Sequence, residues 1–448
     1  MADAPAFQVV PGRAPQPAAP DPDDSTAAAT LHLLVVVPMV PYPPVWGYAQ
    51  RCFQLARQLA RRHRVTMVCY ALADQADDVA DLAEHLHEVV TVPQTPTAGW
   101  RRRLDQLRSV WSSDPYHSSG SRTSAMQATV DELVRSRRVD AVIIESSQMG
   151  WLSVPADVPV YVDEHNIESE LLERMARSER SVLRRLFYQV EHRRYRRFED
   201  AVWERSAGCA ATSQRDASMI TSRRPEIPVA VVPNGVDTEQ FSPEGGDPVP
   251  SRLVFTGLLD YRPNYDGIHW FLDEVYPLIQ RSHPSVELQV VGHGSPAVLR
   301  SLRRPGVEVT GRVPDLRVHL DEAAVAVVPL RIGGGTRLKV VEAMSMGKAI
   351  VSTTLGAEGI DVVHDRHVLL ADTAADFADA VVALLDDSGR RTHLGTSARR
   401  LATDQYSWER SAEQFNVLLE HQVDDVDVLP GPQTHDVEHP MHVRNAVR

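Results

Sequence analysis

The run Val327-Val328-Pro329-Leu330-Arg331-Ile332-Gly333-Gly334-Gly335-Thr336-Arg337-Leu338-Lys339-Val340-Val341-Glu342-Ala343-Met344 carries the densest chemistry in the chain. It reads as a buried strand ending at Leu330, a triple-glycine loop and the start of a helix. Glycines let a ligand approach the backbone and turn N–H groups outward. A helix N-terminus adds partial positive charge, so an anionic phosphate fits there. Arg337 and Lys339 in the first turn add two full charges. Cations at that end of an exposed helix are unfavourable by ~0.3–1 kcal/mol each, and a bound diphosphate would offset this. Lys339 is one of only two lysines among 47 basic residues, the other being Lys348. Glu342 lies three residues beyond Lys339 on the same helical side, where a carboxylate can accept hydrogen bonds from sugar hydroxyls. The alternative is a plain strand-to-helix turn with a surface ion pair. The spacing is neither GxGxxG nor GxxxxGK[ST], so nicotinamide and P-loop enzymes lack their fingerprint.

Asp163-Glu164-His165-Asn166-Ile167-Glu168 sits at the carboxyl end of another strand, where an open α/β sheet keeps its ligands. His165 there suits a hydrogen bond to a sugar or the positioning of an acceptor; the other reading has His165 and Asn166 capping the next helix. Between Arg180 and Arg197 seven arginines interleave with Leu183, Leu186, Phe187, Val190 and Tyr195. Such a segment suits an anionic membrane surface, or a solvated helical face paired with Glu191 and Glu199. His435, His439 and His442 near the end lack a carboxylate or cysteine framework and read as part of a solvated tail.

Positioning these residues requires a particular scaffold. Short β-branched runs alternate with amphipathic helical patterns, and several runs are continuously apolar, as in parallel strands covered on both faces. The pattern predicts an α/β fold of two Rossmann-like, doubly wound parallel-sheet domains facing a central cleft. The turn chemistry at Val232-Pro233-Asn234-Gly235-Val236-Asp237 and the Pro/Gly-rich stretch after it mark the boundary. The expected organisation is an unstructured tail at 1–30, a first domain at 31–235, a linker at 236–250 and a second domain at 251–405. A helix at 406–423 packs back across the hinge, and a second tail spans 424–448. The 448 residues carry 47 Lys+Arg against 60 Asp+Glu, a net charge of −13, which argues against nucleic-acid binding. Cys52, Cys69 and Cys209 are too few and too far apart for a disulfide scaffold or a cysteine zinc site, and fit a reducing compartment. No apolar run reaches the ~18 residues of a membrane span. A cytoplasmic location is expected, with peripheral contact through 180–197 at the inner face of the cell membrane as an option.

The second half resembles the donor domain of GT-B glycosyltransferases of the large retaining family 4, in the branch with the pattern GGGTRLKVLEAM. The matching stretches are Val232 to Asp237, Gly257 with Pro263-Asn264 and Trp270-Phe271, Val291-Gly292, Gly311-Arg312-Val313-Pro314-Asp315, and Gly347 through Gly359. The resemblance implies that Gly333, Gly334, Gly335, Thr336, Arg337 and Lys339 hold the donor diphosphate, with Gly257 and Asn264 beside them. It further implies that Glu342 binds the ribose and that the backbone at Arg312 and Val313 faces the nucleobase. Pro43-Pro44-Val45-Trp46-Gly47-Tyr48-Ala49 resembles the acceptor-side glycine loop, with Gly47, Tyr48, His165 and Asn166 on that side. The alternative there is a Pro-rich connection.

The chain departs from the family where Gly334 replaces the first Glu of an E-x7-E pair. It departs again where Leu258 and Asp266 stand in place of a common Arg and Lys. The implied reaction is metal-independent transfer of a hexosyl group from a nucleoside-diphosphate sugar to a glycan, lipid-linked or small-molecule hydroxyl. It runs by front-face substitution with retention. His165, Arg337 and Lys339 carry the chemistry, and no cofactor is required. Two other readings stay open: an inactive GT-B partner subunit that binds a nucleotide or glycan, and a GT-B-shaped sugar-nucleotide epimerase.

Overall fold

The computed structural model describes residues 7–14, 30–94, 122–179, 181–334 and 336–420. The first domain holds an eight-stranded sheet of β1 (Gln8–Pro11), β2 (His32–Val37), β3 (Arg64–Ala71), β4 (Glu88–Pro93), β5 (Ala141–Glu145), β6 (Val160–Glu164), β7 (Gly208–Ala211) and β8 (Val229–Val231). Its order is β1-β4-β3-β2-β5-β6-β7-β8, with every pair parallel except β1 against β4. The second domain holds β9 (Val249–Thr256), β10 (Glu287–Val291), β11 (Val307–Gly311), β12 (Ala323–Val328), β13 (Ala349–Ser352) and β14 (Leu369–Leu370). These run parallel in the order β11-β10-β9-β12-β13-β14.

Continuous apolar runs become strands here because each sheet is covered on both faces. Leu33, Val35 and Val37 of β2 enter one core cluster while Leu34 and Val36 enter the one behind it. In the second domain Leu253 and Phe255 face one cluster, and Val254 faces the other. The strand order reverses between β2 and β5 in the first sheet and between β9 and β12 in the second. Such switch points open a crevice at the carboxyl ends of the strands. The loops leaving β2, β5, β9 and β12 are therefore the ones that build the site.

Two boundaries differ from the sequence reading. Gln8–Pro11, inside the stretch expected to be an unstructured tail, pairs antiparallel with Glu88–Thr91 and closes the sheet edge. The linker is shorter than 236–250, because β9 begins at Val249. The remainder of the C-terminal tail, with His435, His439 and His442, lies outside the described residues. The helix Trp408–Glu420 returns to the first domain, where Ala412, Phe415, Leu418 and Leu419 join its core. Val236 N–H donates to the Tyr406 carbonyl at 2.8 Å, and Ser411 Oγ donates to the Pro233 carbonyl at 2.8 Å, fastening this helix to the hinge.

Candidate functional site

The first-domain wall is built around a buried charged cluster. Arg51, on the helix Gly47–Leu59, is fully buried and grips Asp163 at the end of β6 with two bonds of 2.8 and 2.5 Å. Its remaining N–H groups donate to the Val232 carbonyl (2.9 Å) and to Asn234 Oδ1 (3.0 Å) at the hinge. His165 follows β6. Its Nε2 lies 2.7 Å from Glu145 Oε2 at the end of β5 and 3.6 Å from Asp163. With Nε2 held by Glu145, the ring nitrogen left for a ligand is Nδ1. Burial and the Asp163 charge raise the Glu145 pKa, while His165 and Arg51 oppose that rise. The Tyr48 ring lies 4.3 Å from the His165 ring, and its hydroxyl donates to the Glu145 carbonyl at 2.9 Å. Cys52 adds its thiol to Glu145 and His165, so that three potential ligand atoms lie within 4.8 Å. Burial pushes that thiol far above its ordinary pKa and it donates to Glu145 at 3.4 Å, so the cluster is satisfied internally.

The second-domain wall carries two cations, Arg337 and Lys339, with no ion pair among the described residues. After β9, Gly257 adopts φ +144°, and a Cβ there would stand 2.8 Å from both Lys339 Nζ and Asn264 Nδ2. Lys339 donates to Asn264 Oδ1 at 2.7 Å and lies 4.3 Å over the Phe255 ring. Burial, followed by the neighbouring Arg337 charge, lowers its pKa to about 7. After β12, Gly333 adopts φ +141°, and the Arg337 guanidinium folds back across it, with Nη2 2.6 Å from where a Cβ would be. Arg337 Nε and Nη2 are buried without a hydrogen-bond partner among the described residues, and burial draws the group's pKa down. A buried cation with unpaired donors is costly. Arg337, with its unpartnered donors, and Lys339, held by Asn264, form a cationic cup that can take a multiply charged anion.

The two walls meet. A Cβ on Gly47 would lie 3.4 Å from Leu338 Cδ1, and one on Gly334 would lie 3.6 Å from Asn166 Oδ1. Gln50 Nε2 reaches the buried Glu342 at 3.4 Å. Arg174, on the helix Glu168–Ser178, donates to the Gly333 carbonyl (2.6 Å) and to Glu358 (2.8 Å). Thr336 is placed in the loop, but its hydroxyl donates to the Thr212 carbonyl at 2.7 Å and its carbonyl accepts from Asn234 at 3.1 Å. It therefore closes the domains on each other rather than offering its hydroxyl to a ligand. Arg312 is exposed beyond β11, and Val313 packs against the second-domain core. Gly335 lies outside the described residues.

Sequence reasoning passed over several members of this site. Arg51 and Asp163 are 112 positions apart, and Arg174 and Glu358 are 184 apart, so no local pattern joins them. Asp266, expected to leave a positive charge missing, is paired with Arg331 at 2.9 Å.

Two family models match the chain: Glycosyltransferase Family 4 over residues 45–240 and Glycosyl transferases group 1 over residues 250–387. The phosphatidyl-myo-inositol mannosyltransferase of Mycobacterium tuberculosis is 31% identical over 209 residues, which cover 42% of this chain and 53% of that protein. The D-inositol 3-phosphate glycosyltransferase of Pseudarthrobacter chlorophenolicus is 27% identical over 222 residues, 44% of this chain and 51% of that protein. The chain thus spans about half the length of these curated relatives. Among solved structures, sucrose-phosphate synthase from Thermosynechococcus elongatus superposes with a TM-score of 0.67 at 17% identity, covering 88% of this chain and 99% of that one. HepE of Anabaena, solved with UDP and glucose, superposes at 0.62 and 15% identity, covering 87% and 99%. The chain thus carries a glycosyltransferase family domain on each side of one cleft, in the two-domain GT-B fold.

Proposed function

We propose that the protein transfers a hexosyl group from a nucleoside-diphosphate sugar to an acceptor hydroxyl, with retention of anomeric configuration and without a bound metal. The observation that carries this reading is the buried Arg337 guanidinium with two unpartnered N–H donors, beside Lys339 on the Gly333 loop. Neighbours solved with UDP support the donor class, and curated relatives named for inositol-containing acceptors support a polyol acceptor.

In the reaction, the acceptor oxygen attacks the anomeric carbon on the face from which the diphosphate departs. The bond from that carbon to the phosphate oxygen breaks, and the diphosphate takes the electron pair. The acceptor proton passes to the departing phosphate oxygen. Arg337 and Lys339 stabilise the charge that develops there, in a site where preorganised donors act strongly. His165, steadied by Glu145, orients the sugar or the acceptor. Glu342 receives the ribose hydroxyls.

Incubation with UDP-, GDP-, ADP- and TDP-hexoses and a panel of polyol, glycan and lipid-linked acceptors tests this. One donor family should yield a glycoside with the anomeric configuration of the donor, by proton NMR. An inverted product would overturn retention. Nucleotide binding with no turnover on any acceptor would favour the partner-subunit reading, which the Gly334 substitution motivates.

The acceptor side also supports a lipid setting. On the helix Val182–Glu204, Val182 and Leu183 are 74% and 81% exposed, beside Arg184 and Arg185. A groove of about 460 Å³ lined by Arg177, Arg185, His192 and Arg193 opens next to them. Among the described residues no helix is long and apolar enough to cross a membrane, so contact would be peripheral. The protein should pellet with liposomes containing anionic lipid at low salt and stay in solution with neutral ones. Equal recovery in both supernatants would remove the membrane contact.

A further inference from the structure

A cavity of about 260 Å³ lies on the first-domain side of His165, lined by Tyr48, Ser146, Gln148, His165, Glu168 and Tyr195. We propose that this cavity receives the ring of the acceptor, and that Glu168 makes it select an uncharged polyhydroxylated ring, a sugar or cyclitol, over its phosphorylated counterpart. The inference deepens the reading above and rests on it.

Position argues first. Tyr48 opens the helix after β2, Ser146 and Gln148 follow β5, and His165 and Glu168 follow β6, so five of the six lining residues come from strand carboxyl ends at or beside the β2/β5 switch point, and Tyr195 from the helix Val182–Glu204 closes the cavity. Asn166, between two lining residues, faces Gly334 of the donor loop across the cleft. Tyr261, in the loop after β9, feels the charges of both Glu168 and Arg337, so the cavity and the cation cup lie within electrostatic reach of one side chain. A ring seated here would present a hydroxyl toward the donor.

Chemistry argues second. The lining offers two phenol rings, an imidazole, an amide, a hydroxyl and a carboxylate, which suits a ring with apolar faces and a hydroxyl rim. No lysine or arginine is among its described lining residues. On the first-domain side Arg51 is engaged by Asp163, and Arg174 by Glu170 and Glu358; Arg337, with its unpartnered donors, belongs to the donor cup and is not a lining residue. Burial and the Glu199 carboxylate raise Glu168 to about 7. Near neutrality it can both accept from and donate to ring hydroxyls, while a phosphate would find no lysine or arginine among the described lining residues. Ser146 adds a sign of function, since its φ of +65° is unusual for a residue with a side chain and such conformations collect at ligand sites.

Saturation-transfer NMR on the full chain, with and without UDP, tests the assignment, using myo-inositol and methyl α-D-mannopyranoside against D-inositol 3-phosphate and mannose 6-phosphate. At least one neutral ring should bind ten-fold or more tighter than its phosphorylated partner. Glu168→Gln and, separately, Gln148→Leu should weaken the neutral ring several-fold. Glu168→Lys should invert the preference. The nucleotide-induced thermal shift should persist in all three variants. A phosphorylated ring that binds wild type as tightly as the neutral one overturns the proposal, as does the absence of binding by either neutral ring. A missing nucleotide shift would instead count against the donor reading, and ring binding read without UDP keeps the two failures apart.

Discussion

Arg337 and Lys339 stand in an arrangement that folding alone disfavours. Both are enclosed, and neither has a carboxylate within ion-pair distance among the described residues, although Glu342 lies one helical turn from Lys339. Arg337→Ala should therefore leave the ligand-free protein as stable as wild type or more so. It should weaken nucleoside-diphosphate binding by about 10- to 100-fold, the worth of ~1.5–3 kcal/mol for charge-assisted hydrogen bonds. Melting curves with and without nucleotide check both halves, and a destabilised apo variant with unchanged binding would assign the side chain to structure. Lys339 adds a pH signature. Its folded pKa of about 7 lies below the ordinary 10.5, so between those values the unfolded chain binds more protons and stability rises with pH. A diphosphate restores the charged form, so binding at pH 8 should take up close to one proton. Calorimetry in two buffers of different ionisation enthalpy measures that uptake, which should vanish in Lys339→Met.

At the scale of elements, a few backbone positions set the geometry of the cup. Gly257 ends β9 where a Cβ would press on Lys339 Nζ and Asn264. Gly257→Ala should raise the donor KM about ten-fold with a small loss of melting temperature, because the φ of +144° strains any side chain and the lysine must move. An unchanged KM would mean that Lys339 does not hold the donor. The central strands were legible in the sequence because many are continuous apolar runs covered on both faces, as Ala141–Glu145 and Ala349–Ser352 are. Gln8–Pro11 escaped it, being a four-residue edge strand whose partner Glu88–Thr91 lies some eighty positions away. The donor loop was legible because its glycines, cations and Glu342 sit within ten residues of one another. Of the facing wall only the local stretches were legible, Gly47-Tyr48 and Asp163 to Glu168; Arg51 and Glu145 join them only through the strand order.

For the whole molecule, one buried arginine connects the parts. Arg51 joins the end of β6 to the hinge carbonyl of Val232 and to Asn234, and Asn234 reaches Thr336 in the donor loop. Arg51→Met should cost about 3–5 kcal/mol by leaving Asp163 buried without a partner, and adding Asp163→Asn should recover part of it. Urea midpoints of the single and double variants decide this; equal midpoints for wild type and Arg51→Met would show that the pair is dispensable. The same connection, with the helix Trp408–Glu420 packed on the first domain, holds the acceptor cavity against the cation cup. The cup of Arg337 and Lys339 should bind a nucleoside diphosphate. Calorimetric titration of UDP, GDP, ADP and TDP into wild type and into the Arg337→Ala, Lys339→Met double variant tests it most directly. One nucleotide should bind wild type and lose at least a hundred-fold in affinity in the folded double variant. Binding that is unchanged in the double variant, or no binding of any nucleotide to folded wild type, would contradict the account.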